Sequence, residues 1–212
     1  MTSATDLVGT YRRMLDEGLI QGTAGNVSVR AGRGMLITPS SLDPAVMTEQ
    51  HVCEFDLESG FVGGDTTPST EWLLHLGVYR GTTAGAIVHT HSLHATAVSL
   101  VTDVLPAVHY YIVRLGGPVP VVPYATYGSE ELAQATGDAL QDRQAAILQN
   151  HGTVTIGRTL QEAYDRATLL EWLCELYLEA AAVRAPHVLS DDDLDAVRAQ
   201  GARIAARGYH VG

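Results

Sequence analysis

Gly85-Ala-Ile-Val-His-Thr-His91 is the stretch from which the rest of the chain is read. A short apolar run opened by glycine reads as a buried strand, and this one ends by presenting two imidazoles. Side chains alternate faces along a strand, so His89 and His91 point the same way and can reach one divalent ion without strain. Taken alone, a His-x-His pair reads at least as well as one hydrogen-bonded core histidine beside a solvated one. The metal reading therefore depends on further ligands elsewhere.

A chain of 212 residues suits a single domain, 1–212, and is long enough to bury a core. With 46% hydrophobic and 17% charged residues the composition is globular. No apolar run approaches the roughly 20 residues of a membrane span. The opening residues, Met1 to Asp6, lack the basic and apolar regions of a signal peptide, which predicts a cytoplasmic protein. A formal net charge of −11 argues against a nucleic-acid or anionic-membrane surface. An anionic substrate such as a sugar phosphate must then be held by local donors against a repulsive overall field. Cys53 and Cys174, far apart in unlike settings, read as reduced core residues.

Helical periodicity covers residues 6–17, with Gly18 as a stop. Gly22 and Gly25 then lead into alternating Val27 and Val29, a strand that Gly32-Arg-Gly34 turns back on residues 35–38 as a hairpin. Residues 52–57 form a further strand candidate, and 58–68, rich in Gly and Thr, a loop. Thr70 is expected to cap a helix starting at Glu71 and running to about Tyr79. Residues 93–101 read as helix, 105–113 as strand and 119–122 as a short edge strand bounded by prolines. A helix from Ser129 to Leu140 is followed by strands 145–149 and 153–156, joined through Asn150-His-Gly152, where Gly152 can take positive φ. Thr159-Leu-Gln-Glu162 reads as a capping box opening a helix to about Val183, and Ser190 opens the last helix. The sum is an α/β domain: a central, mostly antiparallel sheet flanked by helices in three layers.

His151, held in a turn between two strands, supplies a third imidazole, and Glu71, beside small polar residues at a helix start, a carboxylate. Three imidazoles and one carboxylate suit Zn²⁺, and a displaceable Glu71 leaves a position for substrate and a candidate base. Three loops, Gly25-Asn26, residues 38–41 including Ser40 and Ser41, and Ser69-Thr70, offer hydroxyls and approachable backbone N–H groups. Near a helix start they would form a phosphate pocket. The chain contains no lysine, so no lysine imine can form.

The segments Gln21-Gly-Thr-Ala-Gly-Asn-Val-Ser28, Leu36-Ile-Thr-Pro39, Pro68-Ser-Thr-Glu71, His89-Thr-His91, Pro106-Ala-Val-His-Tyr110, Pro123-Tyr-Ala-Thr-Tyr-Gly128 and Asn150-His-Gly152 resemble, in this order and over nearly the whole chain, the class II aldolase/adducin family. The resemblance implies a metal-dependent aldehyde-lyase that reversibly cleaves a ketose 1-phosphate, of the L-fuculose 1-phosphate type, to dihydroxyacetone phosphate and an aldehyde. It implies a cyclic homotetramer with one Zn²⁺, or another divalent ion, per subunit at sites on the subunit interfaces. Carried over by position, the metal ligands are Glu71, His89, His91 and His151. The phosphate-binding residues are Gly25, Asn26, Ser40, Ser41, Ser69 and Thr70. Glu71 and Tyr110 are then the catalytic pair, with Tyr110 contributed from the neighbouring subunit and Tyr209 as a further tyrosine from the tail. Ser41 stands where the family usually has glycine, and Arg114 where a small residue is usual; Arg114 reads as an interface salt bridge or as a contact to a second anionic group. The alternatives are an L-ribulose-5-phosphate 4-epimerase, whose motif has aspartate at position 71, another sugar-phosphate lyase or decarboxylase, and a non-catalytic adducin-like module.

Overall fold

The computed structural model describes residues 3–58 and 60–208. Helix α1 (Ala4–Asp16) precedes strands β1 (Asn26–Ala31), β2 (Gly34–Ile37), β3 (Cys53–Asp56) and β4 (Gly60–Gly63). Then come α2 (Trp72–Gly81), β5 (Ala86–Thr90), α3 (Leu93–Ser99), β6 (Val104–Leu105), β7 (Val119–Val122), α4 (Glu130–Ala139), β8 (Ala145–Leu148), β9 (Gly152–Gly157), α5 (Leu160–Val183) and α6 (Asp191–Ala206). Among the described residues the strands form one sheet in the order β4-β3-β2-β1-β5-β9-β8-β7-β6. Every pairing is antiparallel except β7 with β8. This is the α/β class expected, and no described helix is long and apolar enough to cross a membrane.

Register explains the layers. Val27 pairs Val88 and Val29 pairs Ala86, and these four side chains join Leu7, Tyr11, Met14 and Tyr164 in one cluster beneath α1 and α5. The alternate positions, Ser28 opposite Ile87 and Asn26 opposite His89, face the other way, toward the cluster where Leu74 and Val78 of α2 and Leu132 of α4 meet Val154 and Ile156. Both faces of β5 are therefore covered, which is why all five of its residues are buried. The polar residues of the α2 face converge at one end of the strand.

Local chemistry sets the element ends. Ser3 and Asp6 form a capping box on α1, and Ser190 and Asp193 one on α6. At α5 the Thr159 hydroxyl accepts from Glu162 N–H, but the Glu162 carboxylate takes the backbone N–H of Arg158 and not that of Thr159, so the expected reciprocal box is absent. Gly32 turns the β1–β2 hairpin at φ +56°, as a two-residue loop requires.

Three readings of the sequence are corrected. Residues 58–68 are not all loop: β4 pairs with β3, and Phe61 lies against Phe55 at 5.6 Å between ring centroids. Residues 105–113 are not a strand. After β6 the chain turns at His109, whose Nδ1 accepts the Tyr111 N–H, into a short 3₁₀ helix (Tyr110–Leu115). β7 is not an edge strand, because β6 lies outside it.

Candidate active site

The site is built at the end of β5. His89 is fully buried, and its Nδ1–H donates to the Thr153 carbonyl oxygen on β9 at 2.9 Å. That bond fixes the tautomer and turns the Nε2 lone pair inward. There Nε2 lies 3.0 Å from His91 Nε2 and 2.9 Å from Glu71 Oε2. His151 Nε2 faces the other carboxylate oxygen at 3.2 Å. The three imidazole rings stand nearly perpendicular to one another, with centroids 4.8 to 4.9 Å apart, and one ligand atom from each of Glu71, His89, His91 and His151 lies within 4.8 Å of every other.

These four groups suit a divalent metal. Acceptor atoms converge with too few protons to separate them, and Glu71 Oε1, although close to His151, is buried without a hydrogen-bond partner. Burial pushes the Glu71 carboxyl up, but the imidazoles of His89 and His151 outweigh it and hold the group well below the usual carboxylate range. Burial lowers His89 while the Glu71 carboxylate raises it, with a net upward shift. His91 is pushed down to about 3, by burial and then by His89 and His151. Without a cation, the Glu71 carboxylate and the ring nitrogens of the three histidines converge with little to separate them. A dication satisfies all four groups at once.

Glu71 is delivered by the start of α2. It occupies the N-cap position itself, and Ser69 Oγ, not Thr70, accepts its backbone N–H at 3.2 Å, which corrects the expected cap. Its Oε2 also accepts from Asn26 Nδ2 at 3.0 Å. Behind Asn26 a fully buried His75 places Nε2 2.5 Å from Asn26 Oδ1 and Nδ1 2.6 Å from Ser28 Oγ, and Ser28 meets the Tyr79 hydroxyl at 2.9 Å. Burial first, then the neighbouring His89, pushes His75 down to about 3.

The Asn150-His-Gly152 connection places His151 by a different device from the one expected. Asn150, at φ +58°, takes the left-handed conformation, and its N–H is held by Ser99 Oγ at 2.9 Å. Gly152 is required for space: a Cβ there would collide with the Thr90 carbonyl oxygen.

A cavity of about 320 Å³ opens onto this cluster. Gly25, Asn26, Ser40, Ser41, Ser69 and Thr70 all line it, beside Glu71, His91 and His151. Thr38, from the same polar loop, is buried and caps the Val27 N–H instead. Ser41 sits at φ +57°, a region that favours glycine. Tyr124 and Tyr127 also line the cavity. Both lie in the quoted Pro123–Gly128 motif, and sequence reasoning gave neither a role. Tyr110 and Arg114 are not among the lining residues of their own chain. Tyr110 stacks on His109 at 4.6 Å in an exposed group with Tyr111 and Trp172, and the Arg114 guanidinium lies 5.9 Å from the Tyr111 ring centroid. Tyr209 lies outside the described residues.

Residues 5–178 match the family described as Class II Aldolase and Adducin N-terminal domain. The chain is 41% identical over 197 residues to the L-fuculose phosphate aldolase of Escherichia coli K12, covering 92% of this chain and 91% of the relative. It is 36% identical to a 5-methylthioribulose-1-phosphate/5-deoxyribulose-1-phosphate aldolase of Rhodospirillum rubrum, over 90% of this chain and 87% of that one. Among solved structures it superposes on an L-fuculose 1-phosphate aldolase with a TM-score of 0.89 at 32% identity, covering 93% of this chain and 94% of the other. The L-fuculose-1-phosphate aldolase of Thermus thermophilus gives 0.75 at 32%, over 82% and 91%.

Proposed function

The chain belongs to the class II aldolase and adducin family and is a metal-dependent aldehyde-lyase, and from that premise we propose that it cleaves a ketose 1-phosphate of the L-fuculose 1-phosphate type, using Zn²⁺. The observation that carries the reading is the convergence of Glu71, His89, His91 and His151 beside a cavity lined by hydroxyls and an amide. A divalent ion held by these four residues supplies Lewis-acid stabilisation of the negative charge that develops as the C3–C4 bond breaks. The loops at Gly25-Asn26, Ser40-Ser41 and Ser69-Thr70 hold the phosphate, orienting the three-carbon half of the substrate against Glu71.

Glu71 carries the proton work at C3. Its carboxylate is ionised and has one oxygen without a hydrogen-bond partner, so it can remove a proton from C3 in the condensation direction; in cleavage it first takes a proton from solvent and passes it to C3, the carbon that keeps the bonding electrons. The C4 hydroxyl loses its proton as its oxygen becomes the aldehyde carbonyl, and Tyr110 of an adjacent copy exchanges that proton. Tyr110 is 47% exposed within one chain, in an aromatic group with Tyr111 and with Trp172, itself 42% exposed. Such a surface supports assembly into a homotetramer whose sites are completed across its interfaces. Tyr124 and Tyr127, both exposed residues lining the cavity, are the candidates to meet the aldehyde half.

The test is release of dihydroxyacetone phosphate, in a coupled assay with zinc-loaded protein, from L-fuculose 1-phosphate, 5-deoxyribulose 1-phosphate and 5-methylthioribulose 1-phosphate. Fastest turnover of the first is expected. Preference for either of the others reassigns the aldehyde, and no release from any of them, with zinc bound, overturns the aldolase reading in favour of epimerase or decarboxylase chemistry.

A further inference from the structure

We propose that His75 is a positioning residue for Glu71: it locks the side-chain amide of Asn26 so that one amide N–H stays on the Glu71 carboxylate. The inference deepens the aldolase reading and rests on it for the role of Glu71.

Donor and acceptor chemistry settles every proton in the chain of contacts behind the site. A carboxylate only accepts, so the group 3.0 Å from Glu71 Oε2 is the Asn26 NH₂. Asn26 Oδ1 then faces His75, whose Nε2 must carry the hydrogen. The other ring nitrogen of the neutral imidazole is an acceptor, filled by the Ser28 hydroxyl. Ser28 oxygen accepts in turn from the Tyr79 hydroxyl. All donors point one way, from Tyr79 through Ser28, His75 and Asn26 to Glu71.

The direction cannot be reversed at one member. Turning the Asn26 amide over would set its oxygen against the Glu71 carboxylate and its NH₂ against the His75 N–H, two repulsive contacts in place of two bonds. Ser28 and His75 have no exposed surface, so water cannot relieve the contact between Asn26 and His75. The second N–H of Asn26 remains for the cavity that Asn26 lines. One amide therefore sits between the phosphate pocket and the catalytic carboxylate, and His75 sets its orientation. Strand β1 and helix α2 make the arrangement rigid, since Asn26 and Ser28 are alternate residues of one strand face while Glu71, His75 and Tyr79 repeat every four residues from the start of α2.

Three substitutions separate this role from packing. Glutamine at 75 keeps an N–H donor near the Nε2 position, asparagine keeps a polar group only near Nδ1, and leucine keeps neither. In the full-length zinc-loaded protein, His75→Asn and His75→Leu are expected to lower kcat by about tenfold, the scale of one buried hydrogen bond. Both should also weaken Zn²⁺ binding, read by chelator competition. His75→Gln should stay within about threefold of wild type in both readouts, on the same hydrogen-bond scale. A packing role predicts losses that follow the thermal midpoint, with no rescue by glutamine, and that pattern would overturn the proposal. If variants at 75 do not fold, Ser28→Ala decides. It removes the donor that fixes the tautomer and should lower Zn²⁺ affinity and kcat together, and wild-type values for both would sink the idea. The Zn²⁺ series needs no turnover, so it can hold even where every ketose phosphate fails as a substrate.

Discussion

Gly152→Ala isolates what the close approach of β5 and β9 does for the metal site. Gly152 does not occupy the left-handed region, so alanine meets no backbone objection there; the objection is space alone. The new Cβ would overlap the Thr90 carbonyl oxygen and lie 3.0 Å from its carbon and 3.2 Å from His91 Cα. Carbon atoms pack comfortably at about 3.5–4.0 Å, so the strands must part by something on the order of 1 Å. All the obstructing atoms are backbone, and none can rotate aside. Overpacking of this kind costs about 1–3 kcal/mol in stability. The larger effect is expected at the metal, because the displaced segment carries His91 on one side and His151 on the other. Ligand distances tolerate only about 0.2 Å of error. Zinc affinity should fall by about 10- to 100-fold, the range seen when groups that orient ligands are lost. Chelator competition on the folded variant measures it. Wild-type zinc affinity in Gly152→Ala, with the fold intact by circular dichroism, would refute the argument that this glycine sets the ligand spacing.

Tyr110→Phe and Glu71→Gln should each lower the cleavage rate by about 10²-fold or more, the scale of a lost proton-transfer group. If the site is shared between copies, mixing the two inactive variants and allowing subunits to exchange should restore part of the activity; no recovery, with exchange verified, refutes the sharing of the site between copies. Ser41→Gly removes a left-handed non-glycine residue and should stabilise the protein by roughly 0.5–1 kcal/mol, about 2–4 °C per kcal/mol in the melting midpoint, while raising KM through loss of the hydroxyl. Gly9→Ala, in the exposed middle of α1 with open space around the new methyl, should add about 1 kcal/mol of stability and leave kinetics unchanged. KM should stay flat or fall as ionic strength rises and the Debye length shrinks from about 30 Å to about 8 Å, because no arginine lines the cavity and the net charge opposes an anion. A steep rise in KM would reveal a cation brought in by a neighbouring copy, with Arg114 the first candidate.

The parts of the fold visible in the sequence were those whose side chains report burial directly. The apolar run ending at His91, the hairpin glycines around Arg33 and the long α5 pattern each carry their structure in local composition. Residues 60–63 hid because β4 is an edge strand of glycine, Phe61 and Val62, half exposed, with a ladder to β3 on one side and one aromatic contact. Residues 105–113 misled in the opposite sense. Only Leu105 enters a ladder; Tyr110 and Tyr111 join an exposed aromatic group around a 3₁₀ turn, while Ile112 turns into the core. Strand β1 held the most instructive signal. The alternation of Val27 and Val29 shows one buried face and leaves the face of Ser28 unassigned, whereas both faces of β1 are covered: Asn26 reaches Glu71, and Ser28 reaches His75 behind it. A sequence pattern gives the period of a strand but not whether its second face is wet, and that question separates a solvated serine from a link in a buried relay.

The same distinction explains how an acidic, lysine-free chain can take an anionic substrate. Hydroxyls, backbone N–H groups and the Asn26 amide are neutral donors, so on the proposed function a phosphate would meet oriented dipoles and no lysine or arginine of the same chain. Neutral donors are useful only when their direction is enforced, since a freely rotating amide offers its oxygen as readily as its nitrogen. At Asn26 the enforcement comes from both sides, the Glu71 carboxylate in front and the His75 N–H behind. An arginine in that place would bring charge at the cost of neutralising Glu71, the group whose negative charge both the metal and the proton transfer require. Anion recognition and a catalytic carboxylate can stand next to each other here because the donor between them is neutral and locked.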